Sequence, residues 1–168
     1  GADPKFPVNM NVVNMLNTKY ILAPGRLPET RIALANTDQA KGILTYRNPD
    51  VLPRAWFVKE AEVATSKSAL FARLNDPSWN PRTTALLENP LSEPVTASDS
   101  AVATIAKLGA HEVTVETFTS RTSLLVLSEV YYPAGWKAFV DGKETEIRKT
   151  NYVLRSVIVP AGTHRVEF

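Results

Sequence analysis

The sequence contains no cysteine, which removes disulfide frameworks, thiolate metal sites and thiol nucleophiles together. It leaves the compartment open. No stretch approaches the roughly 18–20 consecutive apolar residues of a membrane-spanning helix, so this segment is expected to be soluble, whatever it is attached to. Neither sign of charge dominates: nineteen Lys and Arg against seventeen Asp and Glu leave a net charge of +2. A balance this even lacks the basic face that neutralises phosphates, and nucleic acid is not an expected partner. Glycine is sparse, seven residues spread singly, so no glycine-rich loop is available to cradle a phosphate. The two histidines, His111 and His164, fall in different strand-like runs without a third ligand at metal spacing, and neither a metal nor a cofactor is expected. No Gly-x-Ser-x-Gly elbow accompanies them. The segment is therefore expected not to be an enzyme.

What is present is the composition of an ordinary globular chain: 168 residues, 44% hydrophobic and 21% charged. A chain of this length buries about two thirds of the surface it exposes when unfolded, so a single core suffices without staples. Gly1 stands where an initiator methionine would, and the sequence stops at Phe168 directly after a strand-like run. Both ends fit a piece of a longer protein.

Periodicity along the chain points to a mainly β protein. Residues 8–16 carry Val8, Val12, Met15 and Leu16 at helical spacing among Asn9, Asn11, Asn14 and Asn17, which predicts a short amphipathic helix. Residues 18–22 follow as a strand that stops at Pro24-Gly25. Residues 31–36 and 42–47 suit a hairpin. Residues 54–63, with Trp56, Phe57 and Val58 in succession, suit a strand apolar on both faces and central to this half. A second short helix is predicted after Ser66, its N-cap, with Leu70, Phe71 and Leu74 as the buried stripe and Asn75-Asp76-Pro77 as the stop. Residues 76–100 hold prolines at 77, 81, 90 and 94 and read as a surface excursion with one strand at 83–87. Trp79 within it is a candidate anchor for a partner.

Beyond residue 100 the pattern is strand after strand. Runs at 101–108, 111–120, 123–130, 136–140, 143–149, 152–159 and 164–168 are separated by turn chemistry. Leu124 to Leu127 is apolar without interruption, as in a strand buried on both sides. Asp141-Gly142 is the residue pair that a two-residue type I′ hairpin requires, because both positions need positive φ. The expected fold is mainly β: an antiparallel β-sandwich, jelly-roll-like in its C-terminal part, with one or two short helices in the N-terminal half. An N-terminal α+β portion, residues 1–100, and a sandwich portion, residues 101–168, are expected to form one unit.

The segment from Leu127-Ser128-Glu129-Val130-Tyr131-Tyr132-Pro133-Ala134-Gly135-Trp136 to Asp141-Gly142-Lys143, with Asn151-Tyr152-Val153-Leu154-Arg155 and Val159-Pro160-Ala161-Gly162-Thr163-His164-Arg165-Val166-Glu167-Phe168, resembles the tail of the YfhO-type family of bacterial polytopic membrane proteins. Asn14-Met15-Leu16-Asn17-Thr18-Lys19-Tyr20-Ile21-Leu22 and Leu52-Pro53-Arg54-Ala55-Trp56-Phe57-Val58 resemble two further blocks of that family, in the same order. The family is similar to the GT-C class of membrane glycosyltransferases, in which many membrane helices precede a β-rich extracytoplasmic region. The resemblance implies a periplasmic or cell-surface location and an accessory role toward a glycan or lipid-linked sugar. It also implies a partner in the transmembrane portion of the same parent chain. The catalytic carboxylates of such enzymes lie in loops between early membrane helices, so none is carried over to this segment.

Tyr131, Tyr132 and Trp136 are the candidate binding residues, since aromatic faces stack on sugar rings. The same three also suit a core tryptophan with two tyrosines capping a strand end. Asp141 and Gly142 are read as a structural turn, and Asn151 and Arg155 as polar groups on the exposed face of the same sheet. A free-standing carbohydrate-binding module and a protein-interaction domain are the alternative readings. The first of these requires the Trp136 indole to be at least half exposed.

Overall fold

The computed structural model describes residues 8–97 and 99–168; residues 1–7 and Ser98, at the start of the expected N-terminal portion and within its proline-rich excursion, lie outside it. Two short helices, α1 (Met10–Met15) and α2 (Lys67–Leu74), accompany fourteen strands among the described residues. The protein is mainly β, and two of its sheets pack face to face as a sandwich.

The central layer is a six-stranded sheet. Its order is β4 (Ala55–Val58), β9 (Ser123–Val130), β13 (Leu154–Val159), β12 (Arg148–Thr150), β6 (Thr84–Leu87) and β5 (Glu60–Val63). One face meets a five-stranded antiparallel sheet ordered β11 (Lys143–Thr145), β10 (Ala138–Val140), β14 (Gly162–Glu167), β8 (Val113–Thr119) and β7 (Val102–Leu108). The other face is covered by α2 and the 76–97 segment. This position explains the uninterrupted apolar run in β9. Successive side chains of a strand point to opposite faces, so Leu124 and Val126 enter the core under α2 while Leu125 and Leu127 enter the core between the sheets. All four are fully buried.

Residues 54–63 break into two strands, and this corrects the expected single central strand. β4 pairs only with β9 and β5 only with β6, so the two halves form opposite edges of the same sheet. The break falls at Lys59, whose N–H donates to the Thr83 carbonyl (2.8 Å). β5 and β6 run parallel, the one parallel pair among the described strands, with α2 as their crossover. Parallel neighbours need such a connection, whereas the rest of the protein is joined antiparallel. Because β4, β5 and β6 share a sheet with β9, β12 and β13, the portions before and after residue 100 interleave.

α2 begins where Ser66 Oγ accepts from the Ala69 N–H (3.1 Å), replacing one of the backbone partners that a helix start lacks. Leu70 and Leu74 are buried, but Phe71 is 42% exposed and tilts against Tyr152, ring centroids 4.7 Å apart. Arg73 grips the Glu62 carboxylate with two hydrogen bonds (2.8 and 2.9 Å), tying α2 to β5. This bond holds the Glu62 carboxyl below its ordinary range and the Arg73 guanidinium above its own. Trp79 is 1% exposed, its indole N–H bonded to the Thr84 carbonyl (3.1 Å). It belongs to the core under α2 and is not a partner anchor, because a proline-rich segment can fold back over a sheet as readily as leave it.

The third sheet, β1 (Tyr20–Ala23), β3 (Ile43–Arg47) and β2 (Ala33–Asp38), carries a small core of Met10, Ala23, Ile32 and Tyr46. In α1 the buried residues are Met10, Asn14 and Met15. Val8 and Leu16, expected in the buried stripe, are exposed, since a six-residue helix has room for little more than one turn of contact. Asn9 serves both helices: its Oδ1 accepts from the Asn11 and Val12 N–H groups, and its Nδ2 donates to the Leu74 carbonyl at the end of α2 (2.8 Å).

Candidate functional site

The C-terminal array from Tyr131 to Phe168 is built around two turns of different chemistry. At Asp141 and Gly142, φ is 51° and 79°, the geometry of a type I′ hairpin between β10 and β11. At the second turn Asn151 and Tyr152 hold φ of 50° and 72° without any glycine. Asn151 sustains that geometry by bonding β6 twice: its side-chain Oδ1 accepts from the Leu86 N–H and its backbone N–H donates to the Leu86 carbonyl, both at 2.8 Å. Asn151 is fully buried, which corrects its expected place on an exposed face. Replacing Gly142 with valine is expected to lower stability by about 1 kcal/mol or more, because a β-branched residue tolerates positive φ poorly. An unchanged urea midpoint would count against the turn.

Asp141 does more than turn the chain. Its Oδ2 lies 2.6 Å from His164 Nδ1, and its Oδ1 accepts from the Arg165 N–H (2.8 Å). His164 Nε2 faces the Ala161 carbonyl at 3.2 Å. Both ring nitrogens thus face acceptors, an arrangement satisfied fully only by the imidazolium. The hydrogen bond to Asp141 is the chief cause that raises the His164 pKa, and the same bond is the chief cause that lowers that of Asp141. His164 consequently stabilises the fold below its unfolded pKa, and the contribution is lost as pH rises through the raised folded value. Asp141 contributes above its unfolded pKa and loses that contribution as pH falls through its lowered folded value. Asp141→Asn keeps a residue that accepts left-handed backbone but removes the carboxylate. It is expected to flatten the fall in melting temperature as pH rises from about 6, and parallel pH profiles of variant and parent would refute the pairing.

The three candidate aromatics occupy three different settings. Trp136 is partly buried, less than half exposed, and packs on the core between the sheets. The Arg155 guanidinium lies over its ring, 4.1 Å from the centroid, and 4.9 Å from that of Phe168. One indole face is therefore occupied by a cation. Tyr131 donates its N–H to the Val153 carbonyl (2.8 Å) and lines a small depression of about 180 Å³ beside Glu88, Glu146 and Arg148. Tyr132 is exposed and lies over Gly135, where a Cβ would sit 2.7 Å from its ring carbons.

Arg155 is 1% exposed, which overturns its expected surface position. The reason is parity: β13 alternates, Val157 and Val159 face the core between the sheets, and Arg155 shares their side. Its Nε and Nη2 have no hydrogen-bond partner. Burial pushes its pKa down, and the nearby Glu129 carboxylate opposes that shift. Glu129 is itself held by Arg54, Nη1 to Oε1 at 2.5 Å. The alternation that fills β9 and β13 with apolar residues was the available signal for this buried cation.

A polar seam joins this array to the N-terminal portion. Arg54 Nη2 donates to Asn17 Oδ1 (3.4 Å), and Asn17 Nδ2 donates to the Leu52 carbonyl (2.6 Å). Asn48 Nδ2 donates to Asn14 Oδ1 (2.8 Å) and to the Thr18 carbonyl (2.9 Å). The asparagines scattered around the first helix in sequence thus become the internal ties of the fold.

Beside the Asp141 turn lies an open cleft of about 510 Å³ whose walls carry both charges, among them Glu93, Lys143, Glu144, Glu146 and Arg148. Among the described residues no group of three or more His, Asp or Glu side chains is placed to hold a metal ion. No helix among them is long and apolar enough to cross a membrane. Comparison with protein-family models, with curated proteins and with solved structures found no match to the chain.

Proposed function

We propose that the chain is a non-catalytic extracytoplasmic module of a polytopic membrane protein of the YfhO type, accessory to the transfer of a glycan or lipid-linked sugar at the cell envelope. Its partner in this reading is the membrane-embedded part of its own parent chain. The observation that carries the reading is the convergence of the three resemblance blocks. Asn17 from the first, Arg54 from the second and Glu129 from the third meet in one hydrogen-bonded seam. Segments with a shared structural task are expected to keep their order and spacing together, and that supports treating the three blocks as one signature.

These 168 residues hold no cysteine, so one introduced here is unique within them, and the parent protein without it serves as the labelling control. Lys143, exposed beside the β10–β11 turn, is replaced with cysteine in the full-length parent, and intact cells are treated with a membrane-impermeant maleimide. Labelling specific to that cysteine without permeabilisation is expected. Labelling only after lysis would overturn the reading, as would a parent gene that encodes no series of hydrophobic spans before Gly1.

A further inference from the structure

A polar cleft of about 440 Å³ lies between α1, the 77–82 loop and the segments that flank β2 and β3. Its volume falls in the range of small-ligand sites, about 300–1,000 Å³, but such sites are mostly apolar, whereas these walls are mostly polar. Asn11, Asn14, Asn80, Arg31, Arg82 and Asp50 are among the polar side chains that supply them. Asn14 is only 6% exposed; its Oδ1 is used by Asn48 Nδ2 (2.8 Å), and its Nδ2 has no acceptor among the described residues. Arg31 Nη2 forms an ion pair with Asp50 Oδ2 at 3.9 Å, beyond hydrogen-bond reach, so this contact with Asp50 leaves the guanidinium N–H groups available to a ligand. Arg82 has no carboxylate partner among the described residues. The Asn11 amide is fixed by donating to the Trp79 carbonyl (2.5 Å), which leaves its oxygen as an acceptor.

We infer that this cleft binds a saccharide bearing an anionic substituent, a carboxylate or a phosphate. The inference rests on the glycan-accessory reading for the class of ligand, and on the cleft alone for its charge and polarity. Side-chain amides both donate and accept, as sugar hydroxyls do. Two guanidinium groups against one carboxylate leave an excess of one positive charge, and guanidinium groups favour carboxylate and phosphate through paired hydrogen bonds. Leu52 and Trp79, which also line the cleft, are buried, so little apolar wall is offered to an acyl chain or an aromatic base.

The purified chain is titrated with a glucuronate-containing disaccharide, with glucose 1-phosphate, with maltose and with inorganic phosphate, while the side-chain amide resonances of Asn11, Asn14 and Asn80 are followed by NMR. One or both anionic sugars are expected to shift these resonances, and which of them does so identifies the anion. Maltose and inorganic phosphate should each bind roughly tenfold or more weaker, since either lacks one half of the recognition. Arg82→Gln and Arg31→Gln should each weaken the anionic sugar by about tenfold or more with the melting temperature unchanged. The inference is overturned if no resonance moves at roughly 10 mM ligand, a limit well above millimolar dissociation constants. It is equally overturned if neutral and anionic sugars bind alike, if inorganic phosphate matches the sugar phosphate, or if both variants bind as the parent does. Failure here leaves the labelling result at position 143 untouched, and a cytoplasmic labelling pattern would sink the membrane-protein reading without altering the titration.

Discussion

Arg155→Met is expected to raise the unfolding free energy by about 1–3 kcal/mol, because replacing a buried charge with an apolar side chain of similar reach removes an uncompensated desolvation penalty. Arg155 is 1% exposed, two of its nitrogens lack acceptors, and Glu129, the carboxylate whose field opposes the shift, is committed to Arg54. Against that penalty stand the contacts with Trp136 and Phe168, each worth roughly 0.5–2 kcal/mol. The guanidinium stays charged at neutral pH despite its lowered pKa, since arginine has too high a starting value to lose its proton there. Urea unfolding followed by tryptophan fluorescence measures the change, and the midpoint should rise at constant slope. A lowered midpoint would show that the aromatic contacts and the Glu129 field outweigh desolvation.

Truncation of β9 should give the largest losses. Leu125→Ala and Leu124→Ala are each expected to destabilise by about 2–5 kcal/mol, through lost transfer energy and the cavity left behind. The informative result is their similarity. Leu125 enters the core between the sheets and Leu124 the core beneath α2; in a sheet with one solvated face, only every second position would be costly. A loss below roughly 1 kcal/mol at either site would contradict a two-sided position for this strand. The slope of the denaturation curve must also stay constant for the comparison to hold.

The same alternation marks where sequence reading succeeds and where it stops. Apolar run length identified β9 as doubly buried, and Asp141-Gly142 specified its turn, because each depends on local residue types. Ser66 likewise marked the start of α2. The edge positions of β4 and β5 were not legible, since a strand carries no local mark of how many neighbours it has. Trp79 was misread because proline-rich composition reports on backbone freedom and says little about burial. Arg155 could have been placed from its parity with Val157 and Val159, but its charge argued for solvent and parity won. The second turn carries no local mark for a similar reason: Asn151 and Tyr152 adopt positive φ without glycine, and the support comes from Leu86, distant in sequence. The three candidate aromatics are neighbours in sequence but occupy separate settings, and nothing local to Trp136 indicates that a buried cation lies over its ring.

The interleaving of the central sheet also sets the order in which the protein can fold. β4 waits for β9, its sole sheet neighbour, so the pairing of Ala55 with Leu127 cannot form until most of the chain exists. β6 likewise meets β12 only when Thr150 reaches Leu87. Such distant pairings delay the rewarding contacts until a large loop has closed, which slows folding. Until β9 and β13 are in place, β4, β5 and β6 hold open strand edges and uncovered apolar faces, the features that invite aggregation. The small sheet of β1, β2 and β3 can close on its own residues, whereas the central sheet closes only with the arrival of β9 and β13.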